Sequence, residues 1–121
     1  MSRRDDSAWI EDTLDAVKRL LNDVKDVSYQ EYLQNSQLQR AVLFDLTVLG
    51  EASGKVSDNL KNEYDQLPWQ QMKGLRNRVI HAYFEIDHAI VWEVLTREIP
   101  DLLPQLESLR KQLGSSETSD K

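Results

Sequence analysis

The sequence predicts an all-α protein, an up-and-down bundle of four to six helices. Apolar residues recur in steps of three and four along most of the chain. Only 4 glycines and 3 prolines interrupt 121 residues, and no segment alternates apolar and polar side chains as a strand does. Charged residues make up 30%, above the ordinary figure of about 25%, which suits long helices with solvated faces.

The first helix is expected over residues 6 to about 27. Ile10, Leu14, Val17, Leu21 and Val24 share one face, and Trp9 and Leu20 widen it. Asp5 or Asp6 can cap its start. Ser28 and Glu31 then fit a capping box that opens a short helical turn carrying Tyr29, Tyr32 and Leu33. A third helix, residues 36 to about 53, is apolar nearly all round, which reads as a central helix buried on several sides. Asp45 interrupts it and needs a partner or an exit to water.

Gly54 and Ser57-Asp58-Asn59 mark a break, followed by a short helix to about Tyr64. Pro68 suits a first helical position, so the next helix is expected from Trp69 to about Tyr83. Asp87 can cap a helix through Ile90, Val91, Val94, Leu95 and Ile99, which Pro100 breaks or kinks. Leu102, Leu106, Leu109 and Leu113 form a last stripe. The bundle therefore occupies residues 1–113, and the small polar residues 114–121 read as a disordered tail.

With no cysteine, disulfides, thiolate metal sites and a cysteine nucleophile are excluded, and the chain suits a reducing cytoplasm. Met1-Ser2-Arg3-Arg4 has no apolar run behind it and does not read as a signal peptide. Nothing approaches the roughly 18 apolar residues of a membrane span. A net charge of −6 argues against broad binding to nucleic acid, whose affinity comes from lysine and arginine on phosphates. A locally positive site touching a few phosphates stays compatible with it.

Such a site lies between Trp69 and His88. Lys73, Arg76 and Arg78 form a basic cluster, and Gly74 costs a helix interior about 1 kcal/mol, which suggests a close approach by another backbone or a ligand. At about 100° per residue, Arg76 and Tyr83 fall about 20° apart, Asn77 and His81 about 40°, and Arg76 and His81 about 140°. One straight helix does not aim Arg76 and His81 at a single phosphate. Either the helix bends near His81, or two chains each supply part of the site across a two-fold axis.

These residue types suit RNA cleavage through the 2′-hydroxyl. That reaction needs a base, an acid and positive charge on the phosphate. Histidine fills either proton role, and the arginine fork matches phosphate oxygens. Two copies of His81 across a dimer axis could supply both base and acid. His81 and His88, with Glu85 and Asp87 near them, match no familiar metal-ligand spacing, and neither metal nor cofactor is expected.

Arg76-Asn77-x-x-x-His81-x-Tyr83 resembles the R-x4-H-x-Y motif of the HepT-like toxins within the HEPN superfamily. Leu49-Gly50-Glu51-Ala52, Leu67-Pro68-Trp69, Val91-Trp92 and Ile99-Pro100-Asp101-Leu102-Leu103 resemble that family's flanking segments, so the likeness covers most of the chain. The resemblance implies a helical dimer with facing motifs, and a metal-independent ribonuclease acting on tRNA or mRNA as the toxin of a type VII toxin–antitoxin pair. It implies catalytic roles for Arg76 and His81, support from Asn77, and AMPylation of Tyr83 by an MntA-type minimal nucleotidyltransferase antitoxin. AMP would place bulk and negative charge beside Arg76, where substrate phosphate should sit.

Each residue also has a plainer reading. His81 alone would be a structural histidine, Arg76 and Arg78 solvated helix charges, and Tyr83 a ring closing the bundle. Trp9, Trp69 and Trp92 read as core, His88 as a helix-start residue, and Glu51 as an acid that could support the site. The competing functional reading is a non-catalytic helical partner of a minimal nucleotidyltransferase.

Overall fold

A computed structural model describes residues 5–119. They form an all-α bundle; no β-strand occurs among them, only one isolated antiparallel bridge between Ile80 and Ile86. Helix α1 (Asp6–Asp23) lies between α3 (Ser36–Gly54) and α8 (Ile99–Ser119). Its buried face is Ile10, Thr13, Leu14, Ala16, Val17 and Leu20; four of these belong to the predicted stripe, whereas its Trp9, Leu21 and Val24 are only partly buried, and Thr13 and Ala16 take core positions instead. Asp5 is its N-cap, accepting from the Ala8 N–H at 3.0 Å. Asp6 instead accepts from the Ser57 N–H at 2.8 Å, tying the start of α1 to the loop after α3. The helix ends four residues earlier than expected, and Asp26 turns the chain with φ 59°.

The capping box of Ser28 and Glu31 is formed, and it opens α2 (Tyr29–Leu33), which buries Tyr32. Helix α3 packs on α1 with one side and on α5 (Trp69–Lys73) and α6 (Leu75–Val79) with another. It is not buried all round: Phe44 is 66% exposed, and Ala41 and Glu51 are exposed along the same side. Asp45 finds its partner in Arg19 of α1, whose Nε lies 2.9 Å from Oδ1.

The close backbone approach that Gly74 suggested occurs at Gly50. A β-carbon at Gly50 would stand 3.1 Å from the Met72 carbonyl oxygen and 3.3 Å from that of Lys73, so α5 lies directly on α3 there. Gly74 meets only its own preceding turn and marks the junction of α5 and α6. After α4 (Asp58–Glu63), Pro68 stands one place before the helix, as its N-cap.

Pro100 does not break the C-terminal helix. From α7 (His88–Glu93) the backbone widens into a π-helical turn over Val94–Glu98 and continues into α8. A π turn shifts the hydrogen-bond ladder by one residue, a local way of accommodating a proline that offers no N–H. Helix α8 also runs past Gly114 to Ser119, where a disordered tail is expected; one glycine costs about 1 kcal/mol and does not by itself stop a helix. Residues 120 and 121 lie outside the described residues. No described helix is long and apolar enough to cross a membrane.

Candidate active site

The motif residues sit where the helical path stops. Helix α6 is anchored by buried Leu75 and Val79, which leaves Arg76 and Asn77 exposed on the turn between them. Arg78 faces the other way and is no free surface charge. Its two terminal nitrogens donate to the two Glu98 carboxylate oxygens at 2.8 Å each, fastening α6 to the π turn. That hydrogen-bonded pairing holds the Glu98 carboxyl below its ordinary range and raises the Arg78 guanidinium above its own.

Of the two alternatives left open by helix geometry, the backbone takes the first. Ile80 is extended (φ −110°, ψ 125°), and its N–H closes the last turn on the Arg76 carbonyl at 3.0 Å. The chain then doubles back as a small loop. Ile80 bridges Ile86, the His81 N–H donates to the Glu85 carbonyl at 2.7 Å, and the Asp87 N–H donates to the Val79 carbonyl at 2.8 Å. Within the loop, Ala82–Phe84 form one 3₁₀ turn, and Tyr83 takes a left-handed conformation (φ 61°, ψ 27°). Its side chain is free of the bundle: the residue is 99% exposed.

His81 lies at the base of this loop with its side chain 54% exposed, and its Nε2 is 3.6 Å from Asp87 Oδ2. The other Asp87 oxygen caps α7, accepting from the Ile90 N–H at 3.1 Å. One carboxylate thus caps a helix and stands beside the imidazole. From sequence alone, only the capping role of Asp87 is expected. Its second role depends on the reversal at Ile80, which no glycine or proline announces.

Arg76 and Asn77 line a groove between α3 and α6 together with Glu51. His81 and His88 line a second cleft, of about 340 Å³, with Glu85 and Asp87. No hydrogen bond or ion pair joins Arg76 to His81 among the described residues. His88 begins α7 as expected, but it is also tied inward: the Tyr32 hydroxyl lies 2.8 Å from its Nδ1. Burial, with Tyr29 beside it, pushes the Tyr32 phenol up to about 12. Tyr29 and Trp92 complete this aromatic cluster. Trp69 is core, Trp92 half-buried, and Trp9 carries the Lys55 ammonium 5.4 Å above its ring. No group of three or more His, Cys, Asp or Glu side chains placed to hold a metal ion occurs among the described residues.

Residues 10–109 match the family described as Ribonuclease HepT-like. The chain is 33% identical over 107 residues to a Methanocaldococcus jannaschii protein, MJ1380, named as a candidate RNase; the match covers 88% of this chain and 98% of that one. It is 34% identical over 113 residues to a second protein of the same organism and description, MJ0125, covering 93% and 97%. A Thermococcus cleftensis protein named as a candidate ribonuclease HepT is 29% identical over 109 residues, covering 90% and 99%. No solved structure matches the chain.

Proposed function

The chain belongs to the Ribonuclease HepT-like family, and from that membership we propose that it is a ribonuclease toxin cutting RNA through the 2′-hydroxyl, without a metal, at a site shared by two chains. The observation that carries this reading is the break at Ile80. It leaves an exposed guanidinium (Arg76) on one side and an exposed imidazole (His81), with the Asp87 carboxylate 3.6 Å away, on the other, the group types that phosphodiester cleavage requires.

Within one chain these groups line separate clefts, which favours a composite site. The exposed side of α3, with Ala41, Phe44 and Val48 in one helical stripe, adjoins the groove that holds Arg76. A two-fold axis through that stripe buries Phe44 and brings two copies of the motif together. One His81 then removes the 2′-hydroxyl proton as the 2′ oxygen attacks phosphorus. The P–O5′ bond breaks, the His81 of the second copy protonates the leaving 5′ oxygen, and a 2′,3′-cyclic phosphate remains. Arg76 counters the charge gathering on the phosphoryl oxygens, and Asn77 supports it in position.

Tyr83 is the control point in this reading. A minimal nucleotidyltransferase antitoxin transfers AMP from a nucleoside triphosphate to the phenol, releasing pyrophosphate. Complete exposure of Tyr83 favours its use as a substrate for another enzyme. The same exposure would serve a non-catalytic partner of such a transferase, and nuclease activity separates the two readings. The test is purified protein, free of nucleotide by intact mass, incubated with tRNA and mRNA in chelator. New cyclic-phosphate ends with wild type and none with His81→Ala support the ribonuclease. Intact RNA in both samples, from a correctly folded dimer, refutes it.

A further inference from the structure

Beside Arg76 stand two lysines, Lys55 and Lys73, to which the reading above gives no role. The groove between α3 and α5–α6 has a volume of about 330 Å³, near the lower end for ligand clefts. Lys55, Lys73 and Arg76 line it against a single carboxylate, Glu51. The whole chain has 15 lysines and arginines against 21 aspartates and glutamates, so the sign of charge is inverted locally.

The groove is shaped by backbone as well as charge. Gly50 lets the α5 carbonyls of Met72 and Lys73 come against α3. At Gly54 the aliphatic stem of Lys73 fills the space a side chain would take, its Cγ 3.4 Å from a β-carbon placed there. The stem thus lies along α3 while the ammonium stays at the surface, as long cationic side chains commonly do. Lys55 is held over the Trp9 ring. No ion pair among the described residues engages Lys55, Lys73 or Arg76, whereas Arg19, Arg78 and Arg110 each have a carboxylate. Lys73 precedes Arg76 by three residues on a nearly continuous helical path, a spacing that puts side chains about 5–6 Å apart at their β-carbons.

We propose that this groove is a track for single-stranded RNA, in which Lys73 and Lys55 bind backbone phosphates that flank the one held by Arg76. The proposal rests on the ribonuclease reading and deepens it. The track runs from Arg76 past Lys73 toward Lys55 at the end of α3. Glu51, on the α3 wall, disfavours phosphate at its own place and leaves it to Lys73 on α5 and Lys55 at the end of α3. An acidic protein can then hold a short stretch of RNA at one place without attracting nucleic acid elsewhere.

The test is binding of a short labelled RNA strand to the His81→Ala protein, which leaves it uncut, over a range of salt concentrations. Each phosphate contact on a single strand contributes about 0.7 to the slope of log affinity against log salt. Adding K55Q and K73Q together should lower the slope by about 1.4 and weaken binding at low salt. Each single substitution should take about half of that, and K55R with K73R should restore it. The exposed lysine pair K18Q and K111Q, away from the groove, serves as control and should leave the slope alone. An unchanged slope in both single variants and the double variant overturns the track, even if the wild type cuts RNA. A wild type that neither binds nor cuts RNA at any salt overturns the ribonuclease reading as well. Both lysines are exposed, and circular dichroism of the single variants confirms that each is folded.

Discussion

Asp87 meets two groups at once: its Oδ2 stands 3.6 Å from His81 Nε2 while its Oδ1 accepts from the Ile90 N–H at 3.1 Å. These roles separate by substitution. Asparagine caps a helix as well as aspartate, so Asp87→Asn should leave thermal stability almost unchanged. It removes the charge facing the imidazole, and cleavage should slow on the order of tenfold or more, about 1.4 kcal/mol per tenfold. Asp87→Ala should lose the cap too and cost about 1 kcal/mol of stability. Single-turnover rates beside melting curves separate the effects; equal rates for wild type and Asp87→Asn would deny Asp87 any part in the chemistry.

The Arg78–Glu98 pair predicts an acid-side signature in stability. Glu98 titrates lower in the folded protein than its ordinary value near 4.5. Its contribution is therefore complete above that value and is lost as pH falls through the lower folded value. Both side chains are more than a third exposed, at 38% and 37%, so solvent screening keeps the pair under about 1 kcal/mol. Glu98→Gln should flatten this part of a melting-temperature profile between neutral pH and pH 3. A profile that keeps its full acid slope would assign that slope to other carboxylates.

Asp45 is 5% exposed, and Arg19 is its ion-pair partner among the described residues. Arg19→Met should cost about 1–3 kcal/mol, below the figure for fully buried pairs because the arginine is half open to water. Asp45→Leu should cost less than Arg19→Met, since it removes the buried charge along with its partner's task. Urea unfolding orders the two variants, and the reverse order would contradict this account.

Local chemistry made much of the fold legible. The stripe of α1, the capping box at Ser28 and the caps at Asp5 and Asp87 depend on neighbours within a few residues, and they lie where sequence rules place them. The motif's existence was legible for the same reason, but its shape was not. Val79, Ile80 and His81 contain no helix breaker; the helix ends where Ile80 turns extended and pairs with Ile86 across the loop. Asp45 with Arg19, and Arg78 with Glu98, join residues 26 and 20 positions apart, beyond the reach of periodicity. Gly74 drew attention because it interrupts a helix, yet the tight contact is at Gly50, inside a helix that the sequence reads as merely apolar.

That contact makes Gly50 a sensitive position. Gly50→Ala would push a methyl group against the Met72 and Lys73 carbonyls, rigid backbone that does not swing aside. Overpacking of this kind costs about 1–3 kcal/mol and should shift α5 and α6, lowering cleavage together with stability. Gly74→Ala meets one carbonyl of its own turn, at 3.3 Å, with negative φ, and should fall within about 1 kcal/mol of wild type. Melting curves and cleavage rates for the two variants should therefore diverge in parallel.

Tyr83 unites strain with exposure, and the combination yields a prediction that structure and regulation answer differently. A left-handed tyrosine costs about 1 kcal/mol relative to glycine, and a ring that is 99% exposed recovers little by burial. If the ring only supported the fold, removing it would destabilise the protein. The opposite follows from the geometry: Tyr83→Gly should gain up to about 1 kcal/mol, and Tyr83→Phe should leave stability unchanged. Both should still cut RNA, because neither alters Arg76, His81 or Asp87. Both should fail to take up AMP from a minimal nucleotidyltransferase and so escape its control, which intact mass and cleavage assays read directly. Undiminished AMP uptake by Tyr83→Phe would move the modification to another hydroxyl and leave the left-handed tyrosine without a regulatory role.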